Sequence, residues 1–156
     1  MNRRYPERPF TGVGAIIFRG SEVLLVKRGR PPAAGKWSIP GGLVELGESL
    51  DAAVCREVLE EAGVQVRTID LVAALDRVIL DSEGRIEYHY ILLDFLCEIV
   101  GGELGAGSDA DECRFVALDD LGRYDMTRGT EQVIRSALER ASDHGPGRIR
   151  VYAAQR

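Results

Sequence analysis

The stretch that most constrains this chain runs from Trp37 to Val64, a glycine-bearing loop that feeds a helix crowded with carboxylates. Ser49 can cap the helix, Asp51 in the first turn suits the positive end of the dipole, and Gly63 supplies a left-handed stop. The spacing therefore predicts a helix over Leu50–Ala62. At about 100° per residue, Leu50, Val54 and Val58 form one stripe, widened by Cys55, Leu59 and Ala62 into an apolar arc that demands burial. Glu57, Glu60 and Glu61 share one side of the same helix. Glu61 projects between Leu50 and Val54, where a purely structural helix would carry no charge.

Carboxylates repelling at helical spacing cost a few tenths of a kcal/mol per pair, and partial burial adds a desolvation cost. Arg56, one turn before Glu60, offsets only part of this charge. A hard divalent cation with oxygen ligands is the natural remainder; the alternative is a solvated acidic face. Gly41 and Gly42 allow close backbone approach, which lets a main-chain carbonyl of the loop point at a cation held by the helix.

The remaining chain reads as one α/β domain. At 156 residues with 45% hydrophobic content there is room for one core and no more. A net charge of -5 argues against a basic groove for a nucleic-acid polymer, while leaving small phosphorylated substrates open. No run reaches the ~20 apolar residues of a membrane span. Cys55, Cys97 and Cys113 are odd in number and widely spaced, as expected of a reduced, cytoplasmic protein. Residues 1–11 form a charged N-terminal extension, 12–141 the domain, and 142–156 an arginine-bearing tail whose apolar patch leaves a homodimer open.

Two strands, Gly12–Phe18 and Glu22–Lys27, enter the sheet as a hairpin. Strands over Val64–Val66, Leu71–Leu80, Glu87–Ile99 and Cys113–Val116 follow, then an amphipathic helix over Thr130–Ala141 burying Val133, Ile134, Ala137 and Leu138. Arg28 and Arg30 belong to a basic loop that either contacts substrate phosphates or is merely solvated. Trp37 is read as core packing ahead of base stacking. His89 lies in a central strand, where a hydrogen-bonded core role competes with substrate contact. On the opposite face of that strand stand Tyr88, Tyr90, Leu92 and Asp94.

The spacing Gly42, Glu48, Arg56-Glu57-Val58, Glu60-Glu61, Gly63-Val64 resembles the signature box of the Nudix hydrolase family at every fixed position. The resemblance implies a Nudix-like α/β/α sandwich with a mixed sheet. It also implies hydrolysis of the pyrophosphate bond in a nucleoside diphosphate linked to another group, with Mg²⁺ or Mn²⁺ as cofactor. By the same resemblance, Glu57, Glu60, Glu61 and the Gly41 carbonyl hold metal, Arg56 orients the carboxylates, and Glu48 and Gly42 support them. The proton acceptor is one of these glutamates or an acid of the later loop: Asp109, Asp111 or, first, Glu112.

The segment Trp37 to Glu45, with Asp94-Phe95, looks like the small ADP-ribose pyrophosphatase branch, so ADP-ribose or a related nucleotide is the favoured small-molecule substrate. The absence of proline from Gln65 to Ile86 counts against it. A non-catalytic nucleotide-binding or sensor module on the same fold is the alternative. An isoprenoid diphosphate isomerase would need a cysteine in the site, and Cys55 and Cys97 sit at positions read as buried.

Overall fold

The computed structural model describes residues 2–105 and 110–143. Strand β1 (Phe10–Arg19) has six consecutive buried residues, Gly12 to Ile17, so both of its faces are covered and it lies inside the sheet. On one edge it runs parallel to β6 (Ile86–Gly102), from Phe10↔Tyr90 to Ile17↔Cys97. Its other edge pairs antiparallel, first with β4 (Gly41–Leu43) through Gly12↔Leu43 and Gly14↔Gly41, then with β2 (Glu22–Arg28). Beyond β2 lie β3 (Trp37–Ser38) and β7 (Ala110–Ala117), while β5 (Val64–Leu80) pairs antiparallel with the far edge of β6. The sheet is mixed.

Helices cover both faces. On one, Val54 and Val58 of α1 (Leu50–Ala62) pack against Ala15, Ile17 and Leu24; on the other, Ile134 and Ala137 of α2 (Thr130–Asp143) pack against Ile16, Val23, Leu25 and Leu96. Neighbours Ile16 and Ile17 thus serve opposite layers of an α/β/α sandwich. The boundaries of α1 match the sequence reading because its caps form as expected: Ser49 accepts the Ala52 amide at 3.2 Å, and Gly63 adopts φ 74° while its amide reaches the Leu59 carbonyl.

Several expectations need correction. The stretches Val64–Val66 and Leu71–Leu80 belong to one strand, broken in register at Thr68/Asp70 and Leu71/Ala73. Each bulge inserts a residue, and Ile69, Val72 and Ala73 thereby reach the core under α2. The buried face of α1 is Ala53, Val54, Glu57, Val58, Glu61 and Ala62, whereas Leu59 is 48% exposed. In α2, Leu138 is 39% exposed where the periodicity predicts burial. The strand β1 begins at Phe10, inside the expected extension, and the segment before it is tied down: the Tyr5 amide donates to the Glu87 carbonyl at 2.8 Å and its hydroxyl to Asp81 at 2.9 Å. The tail beyond Asp143 and residues 106–109 lie outside the described residues. Among those described, no helix is long and apolar enough to cross a membrane.

Ile134 is wholly buried and Leu138 is not. Ile134→Ala is expected to lower unfolding free energy by about 2–5 kcal/mol, and Leu138→Ala by less than about 1 kcal/mol, measured by urea denaturation.

Candidate active site

The side chains of α1 that face the loop are organised by Arg56. Its guanidinium forks onto Glu48, Nε to Oε1 at 2.8 Å and Nη2 to Oε2 at 2.9 Å, and Nη2 also donates to the Leu43 carbonyl at 2.9 Å. Nη1 reaches Glu57 at 2.7 Å and Glu60 at 3.4 Å. These charge-assisted bonds raise the arginine further and hold the Glu48 carboxyl below the usual range, chiefly through the Arg56 hydrogen bond. Arg56 thus locks the loop to the helix.

Glu57 and Glu61 are each only 8% exposed, and Glu60 stands out into solvent. Glu61 accepts the Gly41 amide at 2.9 Å. The glycines of β4 are steric necessities. A Cβ at Gly42 would run into the Glu57 carboxylate, and one at Gly41 into the Val13 carbonyl. Among the described residues no three carboxylate, imidazole or thiol side chains converge into a ready-made metal cluster. The donors present are nevertheless all hard oxygens, two of them on buried residues pressed against loop backbone, which is the chemistry a divalent cation takes.

The other side of β4 opens on a cavity of about 440 Å³. Gly41, Gly42 and Leu43 form one wall, Leu75, Leu92 and Ile39 supply apolar surface, and the charged lining is Arg3, Arg28, Arg77, Arg128 and Asp94. Two buried polar atoms there, Arg28 Nε and Tyr90 Oη, have no hydrogen-bond partner among the described residues. Burial lowers Arg77, and neighbouring Arg28 lowers it further. Burial pushes the Asp94 carboxyl up to about 6, against partial relief from Arg77.

Of the residues singled out by sequence, Glu48, Arg56, Glu57, Glu60, Glu61, Gly41 and Gly42 are brought together, and Arg28 lines the cavity next door. Glu112 is not. It is ion-paired to Lys27 at 3.5 Å and to Arg114, and β7 alternation puts it on the α2 side with buried Val116, away from α1. The Arg114 hydrogen bond lowers its carboxyl. Asp109 and the side chain of Asp111 lie outside the described portion. Trp37 is 8% exposed and packs edge-on against Tyr124 at 5.3 Å, a core role. Arg30 is exposed and does not line the cavity. His89, opposite Val78, shares the α1-side face with Phe95 and Cys97, turned away from the cavity. Neither Cys55 nor Cys97 lines it, and burial raises both thiols. The sequence reading assigns no site role to Tyr90 or Arg77, and uses Asp94 only as part of the Asp94-Phe95 resemblance. The signal was present in Asp94, an acid within a strand apolar on both faces.

Two expectations follow. Arg56→Gln leaves Glu48 and Glu57 without their cation, and stability should fall by about 1–3 kcal/mol, allowing for partial exposure, as read by urea unfolding. Asp94 is different. Its folded-state pKa is about 6, above the ordinary 3.8, so its stabilising contribution is full below pH 4 and lost as pH rises through 6. Asp94→Asn should therefore gain on the order of 1–3 kcal/mol over the parent at pH 8 and nothing at pH 4; parallel denaturation curves at the two pH values check this.

The chain is similar to known proteins in both sequence and fold. The NUDIX domain profile matches residues 8–137. The ADP-ribose pyrophosphatase of Methanocaldococcus jannaschii is 37% identical over 72% of this chain, which spans 64% of that relative's length. A putative 8-oxo-dGTP diphosphatase of Mycobacterium tuberculosis is 46% identical over 42% of the chain and 45% of its own length. Among solved structures, the MutT NUDIX hydrolase of Burkholderia pseudomallei superposes with a TM-score of 0.72 at 33% identity, covering 83% of this chain and 98% of that one. An ADP-ribose pyrophosphatase of Streptococcus suis does so at 0.66 and 30% identity, covering 86% and 92%. The matched residues run from the segment before β1 well into α2, and the chain belongs to the Nudix family.

Proposed function

We propose that this protein hydrolyses the pyrophosphate bond of a nucleoside diphosphate linked to a second moiety, ADP-ribose or a related nucleotide, in a reducing cytoplasmic setting. One observation carries the reading. The two-glycine strand β4 presents the helix carboxylates on one side and a cationic cavity on the other, so a nucleotide in the cavity has its phosphates beside the acidic flank. Two of the similar proteins named above, those of Methanocaldococcus jannaschii and Streptococcus suis, are ADP-ribose pyrophosphatases.

A pyrophosphate resists attack because its negative oxygens repel a nucleophile, and catalysis requires that charge to be met in place. Mg²⁺ or Mn²⁺, when bound by Glu57, Glu60, Glu61 and the Gly41 carbonyl, would neutralise phosphate oxygens and make a bound water more acidic. The chain's own residues do the rest. Arg56 fixes Glu57 and restrains Glu60, Glu48 fixes Arg56, and the cavity arginines meet the remaining phosphate charge. A helix carboxylate then accepts the proton of the attacking water, since Glu112 is committed to Lys27 and Arg114.

The test is a hydrolysis screen of nucleoside diphosphate derivatives with Mg²⁺ or Mn²⁺ and product identification. Glu57→Gln and Glu61→Gln are each expected to lower turnover by about 10²-fold or more without loss of the cooperative melt. Near-parental hydrolysis by both variants refutes the assignment. Nucleotide binding without phosphate release across the panel favours a sensor.

A further inference from the structure

Asp94 stands out among the buried groups. It is 7% exposed, and at neutral pH its charge opposes folding. Removing a carboxylate from water is unfavourable unless hydrogen bonds or a close countercharge replace the lost hydration. Among the described residues the charge relief comes from Arg77, and no hydrogen bond supports the carboxylate. The neighbouring strand makes room for it: opposite Asp94 on β1 is Gly14, where an added Cβ would strike Asp94 Oδ1. The fold thus holds a carboxylate in an apolar wall, with Oδ1 in the space that Gly14 leaves open and the residue lining the cavity.

Its surroundings define the chemistry of a group that would fit beside it. Two residues along the same face, Leu92 is apolar; two further, Tyr90 carries the buried unpaired hydroxyl, and Arg28 brings the buried unpaired Nε–H. A moiety that satisfies this wall must donate to Asp94 and accept from Arg28, with Tyr90 able to do either. An ionised carboxylate has two acceptor oxygens and no donor, so it matches two adjacent donors and mismatches a group that alternates donor and acceptor. At pH 8, above its value of about 6, Asp94 is in that form.

Resting on the reading of this cavity as the nucleotide pocket, we propose that Asp94 is its specificity-determining residue, accepting two adjacent hydrogen-bond donors from the bound moiety, with Tyr90 and Arg28 completing the contact. Two parts of a nucleotide carry such a pair: the cis-diol of a ribose and the N–H edge of a guanine-type base. Adenine's edge, with one amino donor beside a ring acceptor, does not.

The experiment is calorimetric binding to the full chain at pH 8 in EDTA, where no turnover occurs, using ADP-ribose, dGDP and dADP. ADP-ribose offers a cis-diol, dGDP the paired N–H edge without a cis-diol, and dADP neither. The parent protein should bind ADP-ribose or dGDP at least about tenfold more tightly than dADP, the scale of a hydrogen bond to a charged group. Whichever is preferred identifies the donor pair. Asp94→Asn should collapse the preference, and Tyr90→Phe, which removes only the unpaired hydroxyl, should weaken the preferred ligand while keeping the order. Equal binding of the three nucleotides by the parent, no binding at all, a preference retained in Asp94→Asn, or equal weakening of all three overturns the proposal. Because metal is absent, these outcomes do not depend on whether the α1 carboxylates support hydrolysis, which the Glu57 and Glu61 variants test separately.

Discussion

The site depends on one guanidinium. Arg56 belongs to α1, yet three of its bonds reach the segment before the helix: two to the oxygens of Glu48 and one to the carbonyl of Leu43. Those bonds fix how β4 leaves the sheet and enters the helix, and so place Gly41 and Gly42 beside Glu61 and Glu57. A lysine could supply the charge but not the planar fork that grips Glu48 while a third nitrogen holds Glu57. The crowding of carboxylates, unfavourable by itself, becomes tolerable because one cation is shared among three of them.

That arrangement was legible in the sequence to the extent that its parts are local. Ser49 and Gly63 mark the ends of α1, the 3.6-residue period sets Glu57 and Glu61 on a common side, and the glycine pair precedes them within the same stretch. Leu59 departs from the pattern because an apolar residue at the margin of the arc is buried only if a neighbouring element extends far enough to cover it, and among the described residues none covers it fully. The bulges of β5 escaped for a similar reason. Ile69 and Val72 are ordinary strand residues whose extra turn answers to packing under α2, a contact between distant segments.

The cavity is non-local throughout. Arg3, Arg28, Arg77, Asp94 and Arg128 come from the N-terminal segment, β2, β5, β6 and the turn before α2. Strand alternation puts Tyr90, Leu92 and Asp94 on one face, but which layer that face meets depends on the parallel register between β1 and β6. The same dependence separates His89 from the cavity and Glu112 from α1. Period-two patterning fixes which residues go together, and pairing decides where they go.

The electrostatics of the two halves also bear on the chemistry. Across β4 from the four arginines stand Glu48, Glu57, Glu60 and Glu61, with Arg56 bonded to the first three. A diphosphate drawn into the cavity approaches a flank of its own sign, and the thin glycine strand does little to screen the repulsion. The arginines can hold a nucleotide but cannot neutralise the side of the phosphate that faces α1. The repulsion between that flank and a bound diphosphate is what a hard cation between the two sets of oxygens would relieve, and attack on the phosphate is the step that requires the relief. On the proposed reading, binding and hydrolysis make separate demands: the cavity residues would select the nucleotide, and the helix glutamates would act on it only when their charge is met.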